Sequence, residues 1–349
     1  MKQTLLGLNT NELGQLVVRE GQPAYRGKQL AEWIYRRNAG TFEEMTDLPG
    51  SFRSRLDNAY LVGRGKTISE RKSRDGTVKL LLELGDGARV ETVGLPYEDR
   101  FSCCVSTQVG CVVGCLFCAT GLSGFVRNLT AGEIVSQVIA VEQATRKVAP
   151  EQERIDHVTC MGMGEPLLNY DATLKALRLL NIEKGIAARN LTVSTSGFVP
   201  GILKLAQEKL QITLAISLHA ASDELRRRLV PGMDKWRIQE IMAASRVYFE
   251  QTGRRVTFEY CLLDGENDSP DEARRLVNLL RGSNCHVNLI PYNRVAELGL
   301  RASPDKQVRA FREILETGGI QVTQRQERGA DIDAACGQLR RRVENNPDK

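Results

Sequence analysis

From about residue 98 the chain alternates between short apolar runs and longer stretches in which apolar residues recur every three or four positions. The short runs, at 101–106, 156–161, 191–195, 212–218, 255–263 and 285–290, have the length and β-branched content of buried strands. The longer ones, at 131–145, 171–183, 199–208, 237–250, 270–282 and 304–316, have the period of helices. A further strand is predicted at 320–325. Regular strand–helix alternation predicts an α/β fold with a parallel sheet and helices outside. Six or so units predict a partial (β/α)6 barrel rather than the closed eight-unit form.

Upstream the pattern differs. Residues 1–75 read as a small helical unit, with apolar positions at helical intervals through Leu13, Leu16 and Val17, and again through Leu30, Trp33 and Ile34. Residues 77–84 and 88–94 read as two strands joined by Gly85-Asp86-Gly87, a hairpin turn signal. The expected organisation is therefore a helical accessory unit (1–75), a linking hairpin (76–97) and a catalytic domain (98–349). The end of the chain, from Arg340 to Lys349, is polar.

Composition narrows the class. The chain has 349 residues, 42% hydrophobic and 26% charged, as expected of a globular protein. No apolar run is long enough to cross a bilayer. The first residues lack the charged-then-apolar pattern of a secretory signal, so a cytoplasmic location without membrane association is expected. Nine cysteines in a reducing compartment argue against a disulfide scaffold and for metal or redox chemistry. The formal net charge of +5 permits a polyanionic partner without requiring one. Candidate RNA contacts are Arg226-Arg227-Arg228, Arg254-Arg255, and Arg26, Lys28, Arg36 and Arg37; each is equally well read as a solvated cation.

The strongest chemical signal is Cys111-Val-Val-Gly-Cys115-Leu-Phe-Cys118. Three thiolates this close can wrap one compact cluster. A [4Fe–4S] cube normally takes four cysteines, so three leave one iron open. An open iron can chelate the amino and carboxylate groups of S-adenosylmethionine (SAM) beside a low-potential electron donor. A zinc site usually needs two separated Cys-x-x-Cys pairs, and only one is present; a distant fourth ligand would still allow zinc. Gly110, Gly114 and Gly121 mark the segment as a loop rather than packed core.

Polar segments follow several predicted strands: Gly162-Met163-Gly164-Glu165-Pro166, Ser194-Thr195-Ser196-Gly197, Ser217-Leu218-His219 and Ile290-Pro291-Tyr292-Asn293. In a parallel sheet these strand ends share one face, where such folds place chemistry. The glycines near Glu165 would let backbone approach a ligand, and Glu165 could accept from an ammonium group. Ser196, Ser217, His219 and Asn293 could bond ribose, carboxylate or adenine. Singly, each is equally a turn or structural residue. Cys160, Cys261 and Cys285 read as small buried apolar residues. His157 and His286, at strand starts, are given no role.

These strings resemble a known family. Cys-x-x-x-Cys-x-x-Cys is the radical SAM signature. Cys104-Val-Ser-Thr-Gln-Val-Gly-Cys111, Met161-Gly-Met-Gly-Glu-Pro-Leu-Leu-Asn169, Ser194-Thr-Ser-Gly197, Ser217-Leu-His219 and Asp331-Ile-Asp-Ala-Ala-Cys-Gly-Gln-Leu339 resemble the RlmN family over nearly the whole chain. That family comprises adenine-C2 methyltransferases of 23S ribosomal RNA and transfer RNA. The resemblance implies a [4Fe–4S] cluster on Cys111, Cys115 and Cys118. It implies SAM contacts from Gly164, Glu165, Ser196, Ser217, Leu218, His219 and Asn293. It implies ribosomal and transfer RNA substrates, a flavodoxin- or ferredoxin-type reductant, and a monomer.

Carbon 2 of adenine is electron-poor, so polar methyl transfer to it should fail, whereas a carbon radical can add. The resemblance implies that Cys336 is methylated by one SAM and converted to a methylene radical with a second, and that it then links covalently to adenine. Cys104 resolves that adduct, leaving a Cys104–Cys336 disulfide to be reduced. Alternation along 101–106 turns Cys104 and Cys103 to opposite faces, with Ser102 and Ser106 on the side of Cys104. Glu91, an exposed hairpin residue by pattern, is implied to accept the carbon-2 proton. Two alternatives stay open: a Cfr-type adenine-C8 methyltransferase, and a non-catalytic zinc-stabilised RNA-binding protein.

Overall fold

The computed structural model describes residues 2–146, 154–326 and 328–332. The N-terminal unit contains β1 (Gln3–Thr4), α1 (Thr10–Arg19), α2 (Arg26–Ala31), a π-turn over Glu32–Arg36, α3 (Gly50–Ala59) and β2 (Tyr60–Leu61), with β1 and β2 paired in parallel. Helix α1 starts at a capping box: Asn9 Oδ1 accepts the Glu12 N–H at 2.9 Å, and Glu12 Oε2 accepts the Asn9 N–H at 2.7 Å.

Next come β3 (Lys66–Lys72), β4 (Val78–Glu83), β5 (Arg89–Pro96), β6 (Phe101–Cys104), β7 (Gln108–Gly110), α4 (Ala119–Leu122), β8 (Phe125–Asn128) and α5 (Ala131–Arg146). Alternation then continues through β9 (His157–Cys160), α6 (Tyr170–Arg178), β10 (Leu191–Thr195), α7 (Val199–Gln207), β11 (Thr213–Ser217), α8 (Asp223–Leu229) and α9 (Ile238–Thr252). The last elements are β12 (Val256–Leu262), α10 (Pro270–Leu280), β13 (Cys285–Pro291), α11 (Asp305–Thr317) and β14 (Gln321–Gln324).

Ten strands form one open sheet in the order β14-β13-β12-β11-β10-β9-β6-β5-β4-β3. From β6 through β14 every pair is parallel, each connected by a helix-bearing crossover, as a partial barrel requires. The pairs among β3, β4, β5 and β6 are antiparallel. The hairpin expected as a linker is thus part of the barrel sheet, with Val93 paired to Cys104. Strand β3 escaped the pattern because it is an edge strand whose single apolar residue is Ile68.

The N-terminal unit shares its apolar core with the barrel, from Leu5 and Tyr35 to Val135 and Leu180. A buried ion pair reinforces that junction. Lys184 Nζ lies 2.7 Å from Glu142 Oε2, which also accepts from Asn38 Nδ2 at 2.8 Å. Among the described residues no helix is long and apolar enough to cross a membrane.

Candidate active site

A cavity of 430 Å³ opens at the C-terminal ends of the parallel strands. Its wall includes Cys104 from the end of β6, Ser194 and Thr195 from β10, Ser217 from β11, and Glu259 and Cys261 from β12. The loops after these strands add Glu165, Ser196, His219 and Asn293, while β5 contributes Glu91.

The loop carrying Cys111, Cys115 and Cys118 is clamped at its base by the β7–β8 ribbon. There the Cys111 N–H donates to the Gly124 carbonyl at 2.9 Å. Its middle is held by Leu116 N–H on Leu229 O at 3.0 Å and Gly232 N–H on Val113 O at 2.9 Å. Val113 packs there with Leu229, Val230 and Met233. All three triplet cysteines line the cavity.

Among the described residues, no three His, Cys, Asp or Glu side chains are gathered at metal-ligating separation. The donor set nevertheless fits a thiophilic iron cluster. Burial pushes the Cys111 thiol up to about 11 and the Cys115 thiol well above its ordinary value, and the proximity of the three sulfurs opposes their joint ionisation. Cationic metal removes that penalty by binding the thiolates directly.

Glu165 is an organiser of the wall. It is buried, and its oxygens accept from Ser196 N–H (2.6 Å), Ser196 Oγ (2.9 Å) and Leu167 N–H (3.1 Å). Burial raises its carboxyl against these hydrogen bonds. Gly164, at φ +103°, lines the cavity and also packs closely within the chain. A Cβ there would lie 2.6 Å from Gln108 Cβ and 2.7 Å from its backbone nitrogen. Gln108 Oε1 in turn accepts the Glu165 N–H at 2.9 Å.

His219 occupies the left-handed region at φ +60°, uncommon for a side-chain-bearing residue and held by its neighbours. Asn267 Nδ2 donates to its carbonyl at 2.8 Å. Its Nδ1 accepts the Cys261 N–H at 3.0 Å, so the neutral ring carries its proton on Nε2. Burial, with the nearby Arg226 charge, holds its pKa down to about 3. Phe117 meets the ring edge-on at 4.7 Å. Leu218 is the exception in its motif: its side chain is fully buried away from the cavity, and its backbone carbonyl serves the site by accepting from Arg226.

Cys104 and Cys103 do face opposite ways. Cys104 reaches the cavity, whereas Cys103 is sealed in the core beside Thr92 Oγ1 at 3.5 Å. Burial raises the Cys104 thiol, countered by the charges of Arg325 and Lys79. Glu91 departs from the pattern reading: it is 4% exposed, lines the cavity and lies 3.8 Å from the fully buried ammonium of Lys79. Cys160 and Cys261 are buried as expected, yet both line the cavity. Cys336 lies outside the described residues. The segment leading to it is anchored on the β3–β4 turn: Gly329 N–H donates to Asp75 Oδ2 at 2.9 Å, and Ser73 Oγ to Asp331 Oδ1 at 2.5 Å.

Two matches decide the family. Residues 105–277 match the radical SAM superfamily, and residues 3–62 match the ribosomal RNA large subunit methyltransferase N-terminal domain. A probable dual-specificity RNA methyltransferase RlmN of Symbiobacterium thermophilum is 48% identical over 347 residues, covering 98% of this chain and 92% of the relative. The chain belongs to the RlmN family. A Geobacillus thermodenitrificans RlmN is 47% identical over 339 residues, covering 97% of this chain and 92% of its own. The crystal structure of a radical SAM methyltransferase from Sphaerobacter thermophilus superposes with a TM-score of 0.92 at 45% identity, covering 96% of this chain and 98% of the other. As a radical SAM protein, an RlmN-family chain uses a [4Fe–4S] cluster and SAM.

Sequence reasoning missed several residues in and behind the wall of this cavity. Ser106 Oγ donates to the Glu91 carbonyl at 2.7 Å and accepts the Met163 N–H at 2.9 Å, tying β5 to two cavity loops. Glu259 is buried in the wall, with Asn288 Nδ2 donating to it at 2.8 Å. Arg226 is buried and turned inward, so it cannot be the RNA contact suggested by its arginine-rich run; Arg227 and Arg228 are exposed. Arg254 and Arg255 stand where β12 begins, at the opposite end of the sheet from the cavity. The cations that do line the cavity are Arg294, Arg325 and Arg328.

Proposed function

We propose that this protein methylates carbon 2 of adenosine in 23S ribosomal RNA and in transfer RNA through an S-methylcysteine on Cys336. The observation that carries this reading is the opening of Cys104, Glu91 and all three triplet cysteines onto one cavity. When bound on Cys111, Cys115 and Cys118, a [4Fe–4S] cluster with SAM supplies one-electron cleavage of a sulfonium, and hence a carbon radical.

The chain's own residues do the rest. Glu165 and Ser196 form the rigid floor against which SAM is held, with Ser217 and Asn293 as further polar contacts and Gly164 allowing the tight turn before Glu165. Neutral His219 offers an Nε2–H donor and no charge that would repel a sulfonium. Glu91, kept beside Lys79, accepts the adenine carbon-2 proton. Cys104, with two cations within electrostatic reach, attacks Cys336 sulfur to release the methylated RNA. Arg294, Arg325 and Arg328 at the cavity face the phosphates of the incoming strand. A low-potential carrier of the flavodoxin or ferredoxin type delivers the electron.

Anaerobic reconstitution followed by iron and sulfide analysis tests the cofactor step. Wild-type protein is expected to bind roughly four irons with matching sulfide, and Cys118→Ala to lose them. Zinc without sulfide in the wild-type protein would overturn the reading in favour of a zinc-stabilised binding module.

A further inference from the structure

We propose that Arg226 is a positioning residue for the radical chemistry. Its guanidinium locks the turns that carry Ser196, Ser217 and His219, and its charge is the fixed counter-ion of the anionic cluster bound across that wall. This rests on the functional reading above and extends it to a residue behind the cavity rather than in it.

Arg226 is a charge buried where its sequence neighbours are not. Helix α8 carries Arg226, Arg227 and Arg228 in succession, yet Arg226 is 3% exposed while its two neighbours face solvent. Its Nη1 donates to the carbonyls of Ser217 (3.1 Å) and Leu218 (2.8 Å), and its Nη2 to the carbonyl of Ser196. One planar fork therefore bridges the C-terminal ends of β10 and β11, just where their side chains turn into the cavity. Gly197 shows how tightly the fork is seated. At φ +94°, a Cβ on it would lie 2.8 Å from Arg226 Nη2 and 2.7 Å from Ile241 Cδ1.

Carbonyl contacts satisfy hydrogens but not charge. Among the described residues Arg226 forms no ion pair within 4.0 Å, and its buried Nε has no hydrogen-bond partner. A buried cation without a counter-charge is costly, and a long apolar residue could fill the same space without that cost. The ionisable groups within electrostatic reach are Cys115, Asp223 and Glu165, and the first and last of them stand in the cavity wall, where burial disfavours their charged forms. Thiolates on the loaded cluster supply the missing negative charge. One-electron reduction makes the cluster more negative still, so a fixed cation favours its reduced form.

The test compares Arg226→Lys and Arg226→Met with wild type. It uses thermal unfolding of metal-free protein, midpoint potential by EPR-monitored titration of the loaded protein, and equilibrium dialysis of SAM. In Arg226→Met the potential is expected to move to a more negative value and the SAM dissociation constant to rise at least tenfold. In Arg226→Lys, which keeps the charge but not the fork, the potential is expected to stay near that of wild type while SAM affinity still falls. Folded Arg226→Met with wild-type potential and SAM affinity would overturn the proposal. So would failure of both variants to fold, which would make the arginine a purely structural staple. Absence of iron from wild-type protein would overturn the functional reading itself, whereas an unchanged potential in an iron-loaded variant removes the role of Arg226 alone.

Discussion

Lys79 Nζ and Glu91 Oε2 lie 3.8 Å apart on adjacent antiparallel strands, the lysine fully buried and the glutamate in the cavity wall. Leu81 pairs with Glu91, so Lys79 is its diagonal neighbour on the same face of the sheet. An ammonium so placed favours the charged form of a neighbouring carboxylate.

That pair gives a stability prediction. Lys79→Met removes the cation and leaves the carboxylate buried, which should destabilise the fold by about 3–5 kcal/mol. Adding Glu91→Gln should recover part of that loss, because the carboxylate that faced the lost ammonium is gone. Urea unfolding of the three variants measures the coupling. Additive effects would mean that the two groups do not interact.

The parallel half of the sheet was legible because strands such as Leu191–Thr195 are short, β-branched segments with alternate residues buried, separated by helices of clear period. The antiparallel extension was only partly legible. Strand Lys66–Lys72 is polar because it is an edge, and the ribbon that clamps the cysteine loop has strands of three and four residues, below what periodicity can detect. At the site, short-range spacing located Cys111, Cys115 and Cys118. It could not show that Glu91 is buried, because its ammonium partner lies on another strand. Nor could it separate Arg226 from Arg227 and Arg228. Only the position of α8 over the strand ends turns one of the three inward.

His219 gives a pH prediction. Its folded pKa is held at about 3, against roughly 6.5 in the unfolded chain. Between those values the unfolded state binds the proton and the folded state does not. The stability this residue contributes is therefore complete above roughly pH 6.5 and is lost as pH falls towards 3, at up to ~1.4 kcal/mol per pH unit. His219→Asn keeps a side-chain acceptor for the Cys261 N–H and tolerates the left-handed backbone. The difference in unfolding free energy between wild type and variant, from pH 7 to pH 5, should show that slope; the contributions of Glu165 and Glu259 cancel in the difference. A flat difference would mean that the histidine is protonated in the folded protein.

Cys104 can be tested by trapping. Without its thiol the adduct between Cys336 and RNA cannot be resolved, so Cys104→Ala incubated with SAM, reductant and RNA should yield a covalent protein–RNA species on denaturing gels. Cys103→Ala, altering the neighbouring thiol sealed in the core, should turn over and release free product. Normal turnover by Cys104→Ala would remove this residue from the chemistry.

The most direct measurement is mass spectrometry of nucleosides from ribosomal and transfer RNA incubated anaerobically with the reconstituted protein, SAM and a reductant. Radical methylation at the electron-poor carbon predicts 2-methyladenosine in both RNAs, absent when Cys336 is replaced by alanine. The appearance of 8-methyladenosine instead, or of no methylated adenosine from iron-loaded protein, would contradict it.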